Sequence, residues 1–139
     1  MLIRNCAGGI VFFEDKVLLL KNDKAEWVLP KGVIRSGKVA QDVALERVSY
    51  EAGVEAEIID TAGQTSYEFF SVSRQRPVCN RITWYLMKAS SSASTFNAEE
   101  GFCDGGFYPI EQAQEMITYS QDKSLVAWSY RRMNGETEA

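Results

Sequence analysis

The sequence predicts an α/β domain with several strands and three helices. It opens with two strand-like stretches, residues 2–13 and 16–21, that are separated by a short turn. A loop and a helix of about four turns then end at Gly53, and strand-like sequence follows at once. Near the C-terminus, apolar residues recur with helical spacing in two more stretches. Together these features indicate helices laid against a sheet.

The first strands read as a hairpin. Residues 14–15 form its turn, and residues 16–21 return along the first strand. Three consecutive leucines, residues 18–20, interrupt the usual alternation, so we expect both faces of this strand to be buried. A polar loop follows, and a short strand is predicted at 27–29.

The central part of the chain contains further strand patterns. The expected strands are 55–59 and 65–72, joined around Gly63, and then 81–89. Residues 73–80 and 90–95 read as loops. In the 81–89 strand, alternation assigns Trp84 and Leu86 to one face and Thr83, Tyr85 and Met87 to the other.

The three helices have different signals. The first is expected over 38–52, with apolar residues recurring from Val39 to Val48 and Gly53 as its left-handed stop. Pro109 suits the first turn of the second helix. Ser120 is the expected N-cap of the third. This last helix carries an apolar docking stripe, and its Trp128 is expected to pack against the core or a partner.

Composition narrows the class of protein. The chain has 139 residues, of which 45% are hydrophobic and 24% charged, as in a globular domain. Its net charge of −4 gives no bulk attraction to nucleic acid or anionic membrane. The chain has no histidine, which excludes Ser-His-Asp and Cys-His catalysis within it. Three widely spaced cysteines do not form a disulfide or zinc pattern. We expect a cytoplasmic protein, with residues 1–133 as a single domain and 134–139 as a frayed tail.

The loop and first helix carry a recognisable pattern. Residues 32–54 resemble the Nudix box, which reads Gly, five residues, Glu, seven residues, Arg-Glu-U-x-Glu-Glu-x-Gly-U, with U aliphatic. The residues in register are Gly32, Val48, Glu51, Gly53 and Val54. The lead-in, WVLPKG, is similar as well. It resembles that of Nudix enzymes acting on dinucleoside polyphosphates and diphosphoinositols. The resemblance implies a Nudix-type α/β/α sandwich with a mixed β-sheet. It also implies hydrolysis of a nucleoside diphosphate linked to another group, with Mg²⁺ or Mn²⁺ as cofactor.

The box departs from the family pattern at the acidic positions. Lys38 stands at the first Glu, Glu46-Arg47 inverts the Arg-Glu pair, and Tyr50 replaces one Glu. Glu51 is therefore the expected metal ligand and catalytic residue. Because residues 47 and 51 are four apart on a helix, a plain Arg47–Glu51 ion pair is an equally weighted alternative.

Cations around the box glycine are candidates for phosphate binding. Lys31 and Arg35 flank a glycine-containing loop at a helix N-terminus, a place where anions bind. The substrate-binding set that we predict is Lys31, Gly32, Arg35, Gly37, Lys38, Arg47, Arg74 and Arg76. The alternative for these cations is ordinary solvated charge, which is favoured for the two arginines of the 73–80 loop.

Two glutamates after the serine-rich linker complete the candidate site. In many Nudix enzymes a loop glutamate in this region is the general base, and Glu99 and Glu100 match it by position. Solvated loop acids are the alternative. From the sequence we predict a Nudix-type pyrophosphohydrolase that is weakened at its box, and the alternative is a binding module that holds a diphosphate compound without metal. Either would take a small-molecule ligand, as a monomer or homodimer.

Overall fold

A computed structural model describes residues 1–135, and the predicted tail lies outside the described residues from 136 onward. The strands are β1 (Leu2–Phe13), β2 (Lys16–Lys21), β3 (Trp27–Val28), β4 (Lys31–Val33), β5 (Ala56–Ser71), β6 (Arg76–Ala89) and β7 (Asp104–Pro109). The helices are α1 (Ala40–Ala52), α2 (Ile110–Met116) and α3 (Ser120–Met133), with a 3-10 turn at Ala98–Glu100.

The seven strands form one mixed sheet. The central order is β3-β2-β1-β6-β5, while β4 also pairs with β1 and β7 with β2. β1 and β6 run parallel from Leu2 opposite Val78 to Phe12 opposite Lys88. The β1–β2 and β5–β6 pairs are antiparallel. The predicted mixed sheet is confirmed.

Helices cover both faces of this sheet. One core cluster contains Ile82, Trp84 and Leu86 with Ile110 and other residues of α2 and α3. The second cluster contains apolar residues of α1 together with Tyr85 and Met87. Because neighbouring residues of β6 enter opposite clusters, the strand is buried on both faces. The three leucines of β2 divide in the same way, so the α/β/α sandwich predicted from the box is confirmed.

The helix of the box begins two residues later than expected. Val39 is its extended N-cap, with φ −103° and ψ 151°, so Lys38 stays in the preceding turn. Gly53 ends the helix at φ 64°, in the left-handed region that glycine adopts without strain, and its N–H donates to the Ser49 carbonyl at 2.8 Å. The predicted stop is confirmed.

Several boundaries differ from the sequence prediction. Residues 31–33, expected as loop, form β4 because their backbone pairs with β1. β5 is continuous through the expected break at Gly63, since two register shifts against β6 absorb the irregularity. β6 begins at Arg76, inside the expected loop 73–80.

The C-terminal helices also differ in detail. Pro109 is the residue before α2, outside its first turn. Tyr119 is the N-cap of α3, and Ser120 is already helical, with no side-chain cap bond. Trp128 is 37% exposed, with the Arg132 guanidinium over its ring at 5.1 Å, so it does not pack into the core. Within residues 1–135, no helix is both long and apolar enough to cross a membrane.

Candidate functional site

A cleft of about 790 Å³ opens beside the C-terminal half of α1. Its walls come from the chain around β3 and β4, the middle of β5, the 3-10 turn and the start of α3. Three of the predicted site residues, Lys31, Glu51 and Glu100, line it. The fold therefore brings together residues that are 20 and 49 positions apart in the sequence.

Glu51 is far more buried than the half-burial that the sequence suggested. It is 5% exposed, and Arg47 holds its carboxylate through Nη2 at 2.5 Å and Nε at 3.1 Å. Burial raises the pKa of Glu51, while the hydrogen bond and charge of Arg47 and the charge of Lys31 oppose the rise. The i,i+4 pair that the sequence offered as an alternative is present.

Arg47 also reaches across to the 3-10 turn. Its Nη2 donates to Glu100 Oε1 at 2.9 Å, and the guanidinium lies 5.1 Å from the centre of the Tyr50 ring. Burial lowers the pKa of Arg47, but the hydrogen bonds to Glu51 and Glu100 outweigh it and raise the pKa. One guanidinium thus joins two carboxylates at the edge of the cleft.

The box glycine makes room for this arginine. A Cβ added at Gly32 would lie 2.6 Å from Arg47 Cδ and 2.7 Å from Cγ. Real Cβ atoms do not come this close, so any larger residue at position 32 would push the Arg47 side chain aside. Gly32 therefore serves the site by leaving room for Arg47, and it is not among the described residues that line the cleft.

The other predicted cations lie away from the cleft walls. Lys38 pairs with Glu46 at 3.3 Å, with both side chains more than half exposed. Arg35 accepts a backbone hydrogen bond from Lys38 at 3.0 Å, which closes the turn that contains Gly37 at φ 83°. Arg74 and Arg76 are exposed at the β5–β6 hairpin. In this structure the four side chains are therefore not part of the cleft lining.

The two loop glutamates, Glu99 and Glu100, lie in different surroundings. Asn97 caps the 3-10 turn through its side chain, which accepts from the Glu99 backbone N–H at 3.0 Å. The turn is tied to α1, since the Asn97 backbone N–H donates to the Glu51 carbonyl at 2.9 Å. Glu100 lines the cleft, whereas Glu99 is exposed and is not among the described residues that line it.

Sequence reasoning missed the opposite wall of the cleft. Glu26 accepts hydrogen bonds from the Tyr119 hydroxyl at 2.6 Å and from Asn22 at 2.9 Å, and these bonds lower its pKa. The hydrogen bond between Tyr119 and Glu26 raises the pKa of Tyr119 to about 12. Burial raises the pKa of Asp122, and the charge of Lys31 opposes the rise. No local pattern marked these residues, because distant segments meet only in the fold.

A stacked aromatic pair forms another part of the wall. The rings of Tyr67 and Phe69 are 5.8 Å apart at 30°, and both side chains remain partly exposed. Asn80, which is 4% exposed, donates to the Tyr67 hydroxyl at 2.8 Å and accepts from Arg4 at 2.9 Å. These part-buried hydrogen bonds therefore hold the exposed Tyr67 ring in its orientation.

The donor set of the box does not fit a divalent metal ion. Mg²⁺ needs several oxygen ligands, and Glu51 is the only carboxylate left at the three helix positions that the family pattern makes acidic. Its carboxylate is occupied by Arg47, whose positive charge repels a cation. Among residues 1–135, no group of three or more His, Cys, Asp or Glu side chains is arranged to hold a metal ion.

The fold and box define a Nudix-type domain, and comparison with known proteins supports this assignment. Residues 3–129 match the model of the NUDIX domain, so the chain belongs to the Nudix family. The curated Mycobacterium tuberculosis protein named MutT4 is 26% identical over 99 residues, which are 71% of this chain and 39% of that protein. The chain thus spans about two fifths of the length of this relative.

Solved structures share the fold at low sequence identity. A Caenorhabditis elegans Ap4A hydrolase superposes with a TM-score of 0.76 at 16% identity, covering 95% of this chain and 98% of that one. An ADP-ribose pyrophosphatase from Streptococcus suis gives 0.72 at 16% identity, covering 98% and 96%. At such identities the likeness describes the fold alone.

Proposed function

We propose that this protein is a Nudix-type pyrophosphohydrolase with weak turnover, acting on a nucleoside diphosphate linked to another group. The observation that carries the proposal is the position of Glu51, the remaining acidic residue of the box helix pattern, in the wall of a cleft of small-molecule size. In the reaction, the oxygen of water bonds to one phosphorus while the bridging P–O bond breaks. The electron pair of the broken bond leaves with the other phosphate group, and the proton of the attacking water passes to the Glu51 carboxylate.

The charges of the cleft support one orientation of the ligand. Its lining contains six acidic residues, Asp23, Glu26, Glu51, Glu68, Glu100 and Asp122, but only two lysines among the described lining residues, Lys24 and Lys31. A diphosphate is repelled by most of this surface, so its favourable place is the end where Lys31 and Arg47 lie near Glu51. The nucleoside then extends toward the Tyr67–Phe69 pair, where a base can stack.

The same charges are the reason that we expect weak turnover. A metal ion makes hydroxide from water at neutral pH by lowering the pKa of the bound water, and fixed cations such as Arg47 do not do this. Because Arg47 pairs with Glu51, this carboxylate is a poor acceptor for the proton of the attacking water, which slows the step. Mg²⁺ or Mn²⁺ remains the cofactor implied by family membership, and we expect it to bind poorly.

A second function is favoured by the Arg47 contacts. A guanidinium at the position of a family carboxylate can bind a phosphate directly, which would make the protein a binding module without turnover. The two proposals share the ligand class and differ in the chemical step.

One experiment separates them. Release of phosphate-containing products is measured from a panel that includes a dinucleoside polyphosphate and ADP-ribose, with Mg²⁺ or Mn²⁺. Binding of the same compounds is measured by calorimetry in EDTA. The Glu51→Gln variant is the test, and Glu115→Gln, on the exposed side of α2, is the matched control. Slow product release that is lost only in Glu51→Gln supports the hydrolase. Binding in EDTA without product supports the binding module, and neither binding nor product contradicts both.

A further inference from the structure

We infer that Glu100 is an internal anion that occupies the phosphate-binding side of the Arg47 guanidinium, and that a ligand phosphate must displace it. The inference rests on the proposed function for the identity of the ligand, but its own contacts come from the described chain. It gives Glu100 a role opposite to that of a general base: the carboxylate restrains binding by imitating the ligand.

The contacts of Arg47 divide into a fixed and an exchangeable part. Glu51 is 5% exposed and belongs to the same helix, so its bond with Arg47 is the permanent one. The Glu100 side chain is 33% exposed and comes from a three-residue 3-10 turn. Ion pairs that face solvent contribute little stability, so rotation of Glu100 away from Arg47 costs little.

The geometry of the cleft shows what this rotation would uncover. Glu51 and Glu100 both line the cleft and both pair with Arg47, which is not among the described lining residues. Moving the Glu100 carboxylate aside turns a donor of the guanidinium toward the cleft. Lys31, which lines the cleft and whose charge acts on Glu51, adds a second cation there.

A phosphate is the ligand group that fits this place. The side chains of Lys31, Arg47, Glu51 and Glu100 sum to zero charge, and loss of the Glu100 contact leaves one net positive charge at the site. The planar guanidinium matches phosphate oxygens with paired N–H donors, as it matches a carboxylate. The Tyr50 ring and the buried Glu51 hold the Arg47 guanidinium in position while phosphate replaces the Glu100 carboxylate.

The arrangement predicts phosphate binding that does not depend on metal. Since the positive charge at the box comes from Arg47, chelation of divalent ions should leave the affinity for a diphosphate unchanged. Removing the charge of Glu100 should increase that affinity, because the competing anion is lost and like-charge repulsion falls.

The test uses inorganic pyrophosphate as the probe, in EDTA, with the full chain. Calorimetry compares the wild type with Glu100→Gln, with Glu100→Ala, and with the matched control Glu115→Gln on α2. All three substitutions remove one negative charge, so an effect of net charge alone appears equally in each. We expect the Kd to fall about fivefold to tenfold in both Glu100 variants and to stay within twofold of wild type in the control.

The double variant Arg47→Lys with Glu100→Gln tests whether the Arg47 guanidinium is the group that binds the phosphate. Lysine keeps a positive charge next to Glu51 but lacks the planar fork, so most of the gain should disappear. The inference is overturned if Glu100→Gln binds pyrophosphate no better than the control, if it shows no binding at all, or if the gain persists in full with lysine at 47. These results are independent of the proposed hydrolysis, since a chain that cleaves no nucleotide can still show the Glu100 effect.

Discussion

Replacing Arg47 with methionine should lower the free energy of unfolding by about 2–4 kcal/mol at neutral pH. Breaking a buried ion pair from one side typically costs ~3–5 kcal/mol, because the remaining charge is left without a partner. The loss here should be somewhat smaller, since the Arg47 side chain is 28% exposed and Lys31 still acts on Glu51. Urea unfolding, with the midpoint and slope fitted together, measures the difference.

The pH dependence of this loss follows from the direction of the pKa shift. Burial already raises the folded-state pKa of Glu51 above its unfolded value, and removal of Arg47 raises it further. The folded variant therefore holds a proton more tightly than the unfolded chain, so its stability falls as pH rises from the unfolded pKa through the raised one. The penalty should shrink when unfolding is repeated at a pH near the unfolded value.

Two controls make the reasoning refutable. Adding Glu51→Gln to the Arg47→Met variant removes the stranded charge and should recover about half of the loss or more. Arg131→Met, at an exposed position of α3, should change stability by no more than about 0.5 kcal/mol. A loss below about 1 kcal/mol for Arg47→Met, or no recovery in the double variant, would show that the pair does not hold Glu51 in its buried position.

Three further outcomes are expected. Gly32→Ala should destabilise the protein by about 1–3 kcal/mol in urea unfolding, and much less in the Arg47→Met background, because the clash is with that side chain. Spectroscopic titration should show one tyrosine near pH 12, which Tyr119→Phe removes. Because its folded pKa is raised above 10, the stabilising contribution of Tyr119 is complete below pH 10 and is lost as pH rises through 12. Restoring acids at the box should create Mn²⁺ binding detectable by calorimetry and increase product release, through the triple change Lys38→Glu, Arg47→Glu and Tyr50→Glu. Metal binding without any product would favour the binding module.

The layers of the fold could be predicted because they depend on local patterns. Alternation in 81–89 assigned Trp84 and Tyr85 to opposite faces, and both are buried there. Gly53 marked the end of α1 because a left-handed residue is needed there. The length of the β5–β6 hairpin could not be predicted in the same way. Pro77 and polar neighbours resemble a loop, and they become strand through pairing with β5 and, from residue 78, with β1.

The candidate site was predictable only on its helical side. The spacing of Arg47 and Glu51 fixed their contact, since residues four apart on a helix are neighbours. Glu100 is 53 positions from Arg47 in the chain, and its contact depends on how the 3-10 turn docks on α1. The wall formed by Glu26 and Tyr119 joins segments 93 positions apart, and neither segment carries a pattern that names the other.

The box of this protein has the glycines of the family pattern but different charges at its acidic positions. Gly32 still provides the space that lets the side chain at position 47 approach β4, and Gly53 still ends the helix. The position that is a glutamate in the family pattern is here an arginine, which is larger and needs anions around it. Glu51 and Glu100 supply them, and their carboxylates neutralise the guanidinium. The backbone geometry of the box and its charge can therefore be tested separately, by substitutions that alter charge without changing either glycine.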